Sequence, residues 1–190
     1  MKLQSNPQSD GKGQVVEVKT NMVFCCKLGG LWPLNFLYMQ LSKNLSLQEV
    51  VKSTTAIRMG IKNNPSKEEI QNLKDIAENV FQPVRDHFDV PIAVTSGYRS
   101  KALNKAIGGA KNSEHVAGRA LDLDADVFGG VTNKEIFEYI KKNLEFNQLI
   151  WEFGDDNNPD WVHVSYEKGN NKKRCLKAFK KNGVTLYKII

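Results

Sequence analysis

The chain of 190 residues has few cysteines and few histidines, and it lacks any long apolar run. Its cysteines are Cys25, Cys26 and Cys175, an odd number without a CxxC pair. They favour neither a disulfide framework nor a thiolate zinc site, and they indicate a reducing compartment. No run of roughly 18 uncharged apolar residues is present, which excludes an ordinary transmembrane helix. With 41% hydrophobic and 25% charged residues, the chain is expected to fold around one sizeable core.

The positive charge of the chain is concentrated near its C-terminus. The net charge is +6 overall, and residues 167–190 carry a net +7. The cations of this basic segment are Lys168, Lys172, Lys173, Arg174, Lys177, Lys180, Lys181 and Lys188. Such a segment is either a solvated face or a surface that docks on an anionic polymer. Specific recognition of nucleic acid is not expected, because no aromatic platform accompanies the lysines.

Residues 1–38 differ in composition from the rest of the chain. A polar, glycine-containing stretch precedes an apolar patch that is broken by Lys27 and Pro33. Asp10 lies before this patch, which disfavours a secretory signal peptide. We therefore expect a disordered or loosely packed N-terminal extension, with a cleaved or anchoring segment as the alternative. Residues 39–190 are expected to form one domain that ends in the basic segment.

Capping-box patterns, in which serine or threonine is followed three residues later by glutamate, predict three helix starts. The pairs are Ser46 with Glu49, Ser66 with Glu69, and Thr132 with Glu135. The second pair opens the clearest helix, residues 66–88, whose apolar residues recur at three- and four-residue steps. Pro83 is expected to kink or split it. The third helix is expected to reach about Asn143, and a further short helix is expected over residues 101–107.

Four apolar or alternating segments predict strands. They are residues 91–96, 120–124, 148–153 and 161–166. Residues 154–159, with two aspartates and two asparagines, are expected to form a turn between the last two strands. A helical first part followed by mixed strands and helices indicates an α+β fold with a small, mostly antiparallel sheet flanked by helices.

Two of the three histidines lie close to acidic residues in the predicted sheet. His87 ends the long helix, where a cation is favoured, and we assign it a structural role. Strand alternation puts Asp122 and His163 on the sheet face away from the core. The loop before Asp122 brings in His115, and Gly118 relaxes the backbone between those two residues. Two imidazoles and one carboxylate leave a fourth position open, as expected of catalytic zinc.

Four short segments around these residues form a specific set of motifs. They are Ser96-Gly-Tyr-Arg99-Ser, Ser113-Glu-His-Val-Ala-Gly-Arg-Ala-Leu-Asp122, Gln148-Leu-Ile-Trp-Glu-Phe and Asp160-Trp-Val-His163-Val-Ser. With them, the sequence from about residue 39 to residue 166 resembles the zinc D-Ala-D-Ala carboxypeptidases, and in particular small phage and bacterial members. The resemblance implies a hedgehog/D-Ala-D-Ala-peptidase-like fold. It also implies hydrolysis of peptide bonds that involve D-amino acids in peptidoglycan, by a D,D-carboxypeptidase or an endopeptidase.

The resemblance also assigns the chemistry to individual residues. It implies that His115, Asp122 and His163 bind Zn²⁺ and that Asp160 is the general base that takes a proton from the attacking water. Glu152 is the alternative base, or else a group that orients a ligand histidine or pairs with an arginine.

Two further residues are expected to act on the substrate. By the same resemblance, Arg99 holds a substrate carboxylate or polarises the scissile carbonyl, a task that suits its planar fork of donors. Ser113 is the motif serine and is expected to contact substrate.

The alternative to an enzyme is a non-catalytic wall-binding or phage structural module on the same fold. The complete set of ligand residues argues against it. The expected partners are the stem peptide as substrate and an anionic wall polymer for the basic segment, and the protein is expected to be a monomer. It is expected to remain in the cytoplasm until its release to the wall, or to be exported by an unrecognised route.

Overall fold

The structure of the chain is a computed structural model that describes residues 39–190. The prediction for residues 1–38 lies outside the described residues. The helices are α1 (Leu47–Val51), α2 (Thr54–Met59), α3 (Lys67–Ile76), α4 (Gln82–Phe88), α5 (Lys101–Ala106) and α6 (Asn133–Asn143). The strands are β1 (Gln40–Ser42), β2 (Leu45–Ser46), β3 (Ala93–Ser96), β4 (Ala120–Asp124), β5 (Gln148–Glu152), β6 (Trp161–Ser165), β7 (Arg174–Lys181) and β8 (Val184–Ile189).

The predicted capping boxes are confirmed at the starts of α1, α3 and α6. In each, the side chain of Ser46, Ser66 or Thr132 accepts a hydrogen bond from the backbone three residues on, and the glutamate there accepts one in return. These reciprocal bonds satisfy backbone N–H groups that a helix start leaves without partners. The end of α6 at Asn143 is also as predicted.

The long helix is split where Pro83 was expected to disturb it. A single π-helical turn, Ala77–Phe81, joins α3 to α4, and the N–H of Gln82 donates to the carbonyl of Ala77, five residues back. Proline has no N–H, and its ring would collide with a carbonyl of the preceding turn in a regular α-helix. The wider turn leaves room for that ring without ending the helix.

The main sheet has six strands in the order β3-β4-β6-β5-β7-β8. All neighbouring pairs are antiparallel except β5 with β7, which is parallel. The predicted α+β class and mostly antiparallel pairing are therefore confirmed, but the prediction of a small sheet is wrong. The sheet is larger because the basic segment adds two strands that the sequence analysis did not predict.

These two added strands, β7 and β8, form a hairpin. Asn182 and Gly183 occupy its turn with φ angles of 53° and 77°, as a two-residue turn of this kind requires. The parallel pairing with β5 then anchors the first five residues of β7, from Arg174 opposite Gln148 to Ala178 opposite Glu152. Much of the basic segment is thus part of the sheet and not a free tail.

One face of the sheet packs against the helices and forms the core. Its central side chains, including Leu121, Leu123 and Val164, are fully buried among residues of α3, α4 and α6. His87, at the end of α4, stacks on Tyr139 of α6 with ring centroids 4.1 Å apart, in keeping with its predicted structural role. Within residues 39–190, no helix is both long enough and apolar enough to cross a membrane. The opposite face, which carries Asp122 and His163, is called the metal-side face below.

Candidate metal centre

A tight turn brings His115 to the metal-side face. Within it, the N–H of Val116 donates to the carbonyl of Ser113, and the N–H of Gly118 donates to the carbonyl of His115. Gly118 has a φ of 69°, and a Cβ atom there would lie 2.5 Å from the carbonyl oxygen of Glu69 in α3. Glycine is therefore required at position 118 for two reasons, namely the left-handed backbone and the close approach to the helix.

Asp122 and His163 meet because their strands are in register. They are directly opposite in the antiparallel pair of β4 and β6, and His163 Nδ1 lies 2.8 Å from Asp122 Oδ1. His115 Nε2 lies 3.2 Å from both Asp122 Oδ1 and His163 Nδ1. His115, Asp122 and His163 are only 2%, 6% and 9% exposed. The three predicted metal ligands thus form one buried cluster.

Neighbouring groups fix the orientation of these ligands. His115 Nδ1 lies 2.6 Å from the carbonyl oxygen of Gly97, to which it can only donate, so the lone pair of Nε2 faces the cluster. Arg99 donates from Nη2 to Asp122 Oδ2 at 2.6 Å and from Nε to Ser96 Oγ at 2.8 Å. Arg99 therefore holds one carboxylate oxygen and leaves the other directed at the two histidines.

The surroundings shift the pKa values of two of the three candidate ligands. Burial lowers the pKa of His115, which favours its neutral form. Burial alone would raise the pKa of Asp122, but the interactions of this carboxylate with the two histidines outweigh burial and hold its pKa below the usual range. An ionised carboxylate and a neutral imidazole are both competent ligands. The candidate ligand atoms of the three residues all lie within 4.8 Å of one another, so the donor set fits a single metal ion.

Two carboxylates were considered as the base, and they have different surroundings. Glu152 ends β5 on the metal-side face and is only 8% exposed. Burial raises the pKa of Glu152 to about 6, although the charges of His163 and Arg99 act in the opposite direction. Asp160 is exposed and precedes β6 by one residue. Its backbone N–H donates to the carbonyl of Glu152, but within residues 39–190 its carboxylate has no hydrogen-bonding or ion-pair partner.

The remaining predicted site residue, Ser113, is half-buried in the turn that carries His115. The sequence analysis missed two further features of the site. One is the carbonyl of Gly97, which orients His115 and has no signature in sequence. The other is Tyr187 of β8, whose pKa burial raises, as do the charges of Glu152 and Asp122. The turn sequence Asn182-Gly183 could have revealed the strand that carries this tyrosine.

Comparison with known families agrees with this geometry. A family model described as Peptidase M15 matches residues 43–165. The chain belongs to the Peptidase M15 family. M15 peptidases are metallopeptidases of the zinc D-Ala-D-Ala carboxypeptidase type, so the resemblance seen in the sequence is confirmed and membership supports a hydrolase activity. A search of curated proteins gave no match. The M15 match includes all three candidate ligands and ends before the C-terminal hairpin.

Proposed function

We propose that the protein is a zinc-dependent peptidase that hydrolyses peptide bonds involving D-amino acids in the stem peptides of bacterial peptidoglycan. The observation that carries this proposal is the buried cluster of His115, Asp122 and His163 in a chain of the M15 family. Three protein ligands with an open fourth position are typical of catalytic zinc, whereas structural zinc is closed by four.

Zinc bound by these three residues would polarise the scissile carbonyl and acidify water at neutral pH. The chain's own residues have three tasks around it. Asp122 and His163, directly opposite each other on neighbouring strands, hold two of the ligand atoms in a rigid sheet. His115 supplies the third from a turn whose backbone is fixed by Gly118. Arg99 orients Asp122 through an ion pair to one of its carboxylate oxygens.

We propose Glu152 as the group that accepts a proton from the attacking water and returns it to the leaving amine. Its support is its burial on the metal-side face and its pKa of about 6, close to the operating pH of a general base. Asp160, the position that the family resemblance favours, is the competing candidate.

Arg99 and Ser113 are proposed to contact substrate. Two of the guanidinium nitrogens of Arg99 are engaged by Ser96 and Asp122, which leaves Nη1 to bind a substrate carboxylate or the scissile carbonyl. Ser113 lies at the start of the turn that carries His115, and its hydroxyl is proposed to contact a bound peptide from there.

Contact with an anionic wall polymer is proposed for the exposed lysines of the basic segment. Lys177 does not belong to this group, because its ammonium binds Asp156 and lies 5.2 Å from the ring centroid of Trp151. Lys168, Lys172 and Lys181 are exposed, and these are the charges expected to attract the wall.

The experiment that tests the proposed function is incubation of purified peptidoglycan with the zinc-loaded protein, followed by mass spectrometry of the released fragments. Free D-alanine identifies a carboxypeptidase, and new amine ends within the stem identify an endopeptidase. Binding to peptidoglycan without any released fragment would contradict the proposal and support a non-catalytic wall-binding module.

A further inference from the structure

The C-terminal hairpin extends the metal-side face of the sheet beyond the part that the M15 match covers. Register pairs Glu152 with Ala178 across β5 and β7, and Ala178 with Tyr187 across β7 and β8. Directly paired residues point to the same side of a sheet. Glu152, Ala178 and Tyr187 therefore form a row on the metal-side face, in which Ala178 is fully buried and Tyr187 is exposed.

A second row on this face is apolar. Ile150 pairs with Leu176, and Leu176 pairs with Ile189, while Ile150 is also directly opposite the ligand His163. The row thus runs from the metal ligand to the outer strand without a charged side chain. These side chains form an apolar strip beside the row that contains Tyr187.

Tyr187 is exposed, and its pKa is nevertheless affected by the charges of the site. Its side chain is accessible, with 54% of the residue exposed. Burial of the phenol raises its pKa, and the negative charges of Glu152 and Asp122 raise it further. Strand register places Tyr187 on the same face of the sheet as Glu152 and Asp122.

Phe153 adds an aromatic side chain to the same region, and its backbone conformation is unusual. It follows Glu152 with a φ of 55°, a left-handed conformation that is strained for a bulky residue. Continued strand alternation would direct its ring to the helix side. Instead, the ring centroid lies 5.4 Å from that of Trp161 and 5.4 Å from Lys180 Nζ, two residues of the metal-side face. The left-handed backbone of Phe153 therefore places its aromatic ring on the metal-side face, next to Glu152.

Distances across the sheet limit what could occupy this face. From His163 on β6 to Tyr187 on β8 there are three strand spacings, about 14 Å. An extended peptide covers roughly 3.3–3.6 Å per residue, so about four residues bridge the two side chains. Arg99 lies on the other side of the cluster, just after β3 at the opposite end of the sheet.

We propose that Tyr187 and the metal-side face of the hairpin form a substrate subsite that holds the peptide chain on the side of the metal centre away from Arg99. This proposal rests on the proposed function and deepens it. The occupant is the extended stem peptide on the amino side of the scissile bond, which lies over the half-buried Leu176 and receives a hydrogen bond from the Tyr187 hydroxyl. Substrates with only one residue on that side do not reach the tyrosine.

The test compares Tyr187→Ala and Tyr187→Phe with the wild type on two substrates, an N-acetylated D-Ala-D-Ala and a stem pentapeptide ending in D-Ala-D-Ala. We expect Tyr187→Ala to raise KM for the pentapeptide about tenfold, with little change in kcat, and to leave both parameters unchanged for the acetylated dipeptide. Tyr187→Phe retains the ring and loses the hydrogen bond, so its effect on the pentapeptide is expected to be smaller, about threefold.

Leu186→Ala is the matched control, because Leu186 adjoins Tyr187 on the opposite face of β8. It is expected to leave both substrates unaffected. An equal effect of Leu186→Ala on the pentapeptide, or an equal effect of Tyr187→Ala on both substrates, would overturn the subsite. If the wild type cleaves neither substrate, the proposed function fails. Calorimetric binding of the pentapeptide then decides the subsite, since equal affinity of wild type and Tyr187→Ala, or no binding, would contradict it.

Discussion

The centre of the sheet and its C-terminal hairpin share one face but differ in their exposure to solvent. In β4, β5 and β6 nearly every residue is buried, whereas all six residues of β8 are exposed. The centre can hold charged groups in a fixed geometry with little competing water, which strengthens electrostatic interactions. The hairpin can offer contact area without that rigidity. The two proposals accordingly assign chemistry to the centre of the sheet and substrate recognition to its edge.

The largest effect is expected from removing a ligand at the centre. His163→Ala should abolish stoichiometric zinc binding and lower kcat/KM for a stem peptide by on the order of 10³-fold, equal to about 4 kcal/mol. Metal content by mass spectrometry and steady-state kinetics measure the two effects. Thr185→Ala, on the same face of the exposed strand β8, should keep the zinc; loss of metal in that variant would break the distinction between centre and edge.

The next largest effect concerns the two carboxylates that are candidates for the base. Glu152→Gln should lower kcat by about 10²-fold or more, because an amide cannot accept the proton. Asp160→Asn, the matched control, should change kcat less than tenfold. Zinc content should be retained in both variants. The reverse order of kcat losses would assign the base to Asp160 and would place the reactive carboxylate at an exposed position.

Gly118 near the centre and Gly183 in the hairpin both have left-handed backbones. The stability lost on substituting each glycine therefore compares the two regions directly. Gly118→Ala adds a methyl group 2.5 Å from the carbonyl of Glu69, whereas a Cβ at Gly183 in the hairpin turn would meet no atom within 4 Å. Backbone strain alone costs roughly 1–2 kcal/mol, so Gly183→Ala should stay within that range. Gly118→Ala should cost about 3 kcal/mol or more of unfolding free energy, measured by urea denaturation. Equal losses would show that the close contact with α3 is relieved at no cost.

The pH dependence of stability in the metal-free protein tests the burial of Glu152. The pKa of its carboxyl is raised from its usual 4.5 to about 6 in the folded protein, so the folded state binds more protons than the unfolded state between those values. The stability of the wild type relative to Glu152→Gln should therefore fall by about 1–2 kcal/mol as the pH rises through this window. Asp160→Asn should show the same difference from Glu152→Gln. Parallel profiles of the wild type and Glu152→Gln between these pH values would contradict the buried placement.

The smallest effect is expected from the exposed lysines. Replacement of Lys168, Lys172 and Lys181 by glutamine should weaken binding to intact walls by a few fold at low salt and leave hydrolysis of a soluble stem peptide unchanged. Cosedimentation with walls at increasing ionic strength measures the first property. Loss of soluble-peptide hydrolysis would show that these charges act at the site and not on the wall.

The sequence was most informative where the strands are buried. Alternation along residues 120–124 predicted the bounds of β4 and the side of the sheet on which Asp122 lies. The same reasoning placed His163, because a register error would move a whole set of apolar side chains into water. Capping boxes were equally reliable, since they depend only on residues three apart.

The sequence was least informative about the edge strands of the sheet and about which carboxylate is the base. Lysines and one arginine interrupt the alternation in β7, and an exposed outer strand has no buried face to impose a pattern. The Asn182-Gly183 turn was the remaining signal for the hairpin. The difference between Glu152 and Asp160 depends on burial across neighbouring strands, which no spacing within the chain specifies.

Zinc bound by His115, Asp122 and His163 is proposed to be required for hydrolysis, and the metal dependence of stem-peptide hydrolysis measures this requirement. The zinc-loaded wild-type protein is assayed on a stem pentapeptide before chelation, after complete chelation and after the addition of one equivalent of zinc. We expect hydrolysis to stop on chelation and to return with one zinc ion per chain, and we expect His163→Ala to remain inactive throughout. Undiminished hydrolysis by the fully chelated protein would contradict this requirement.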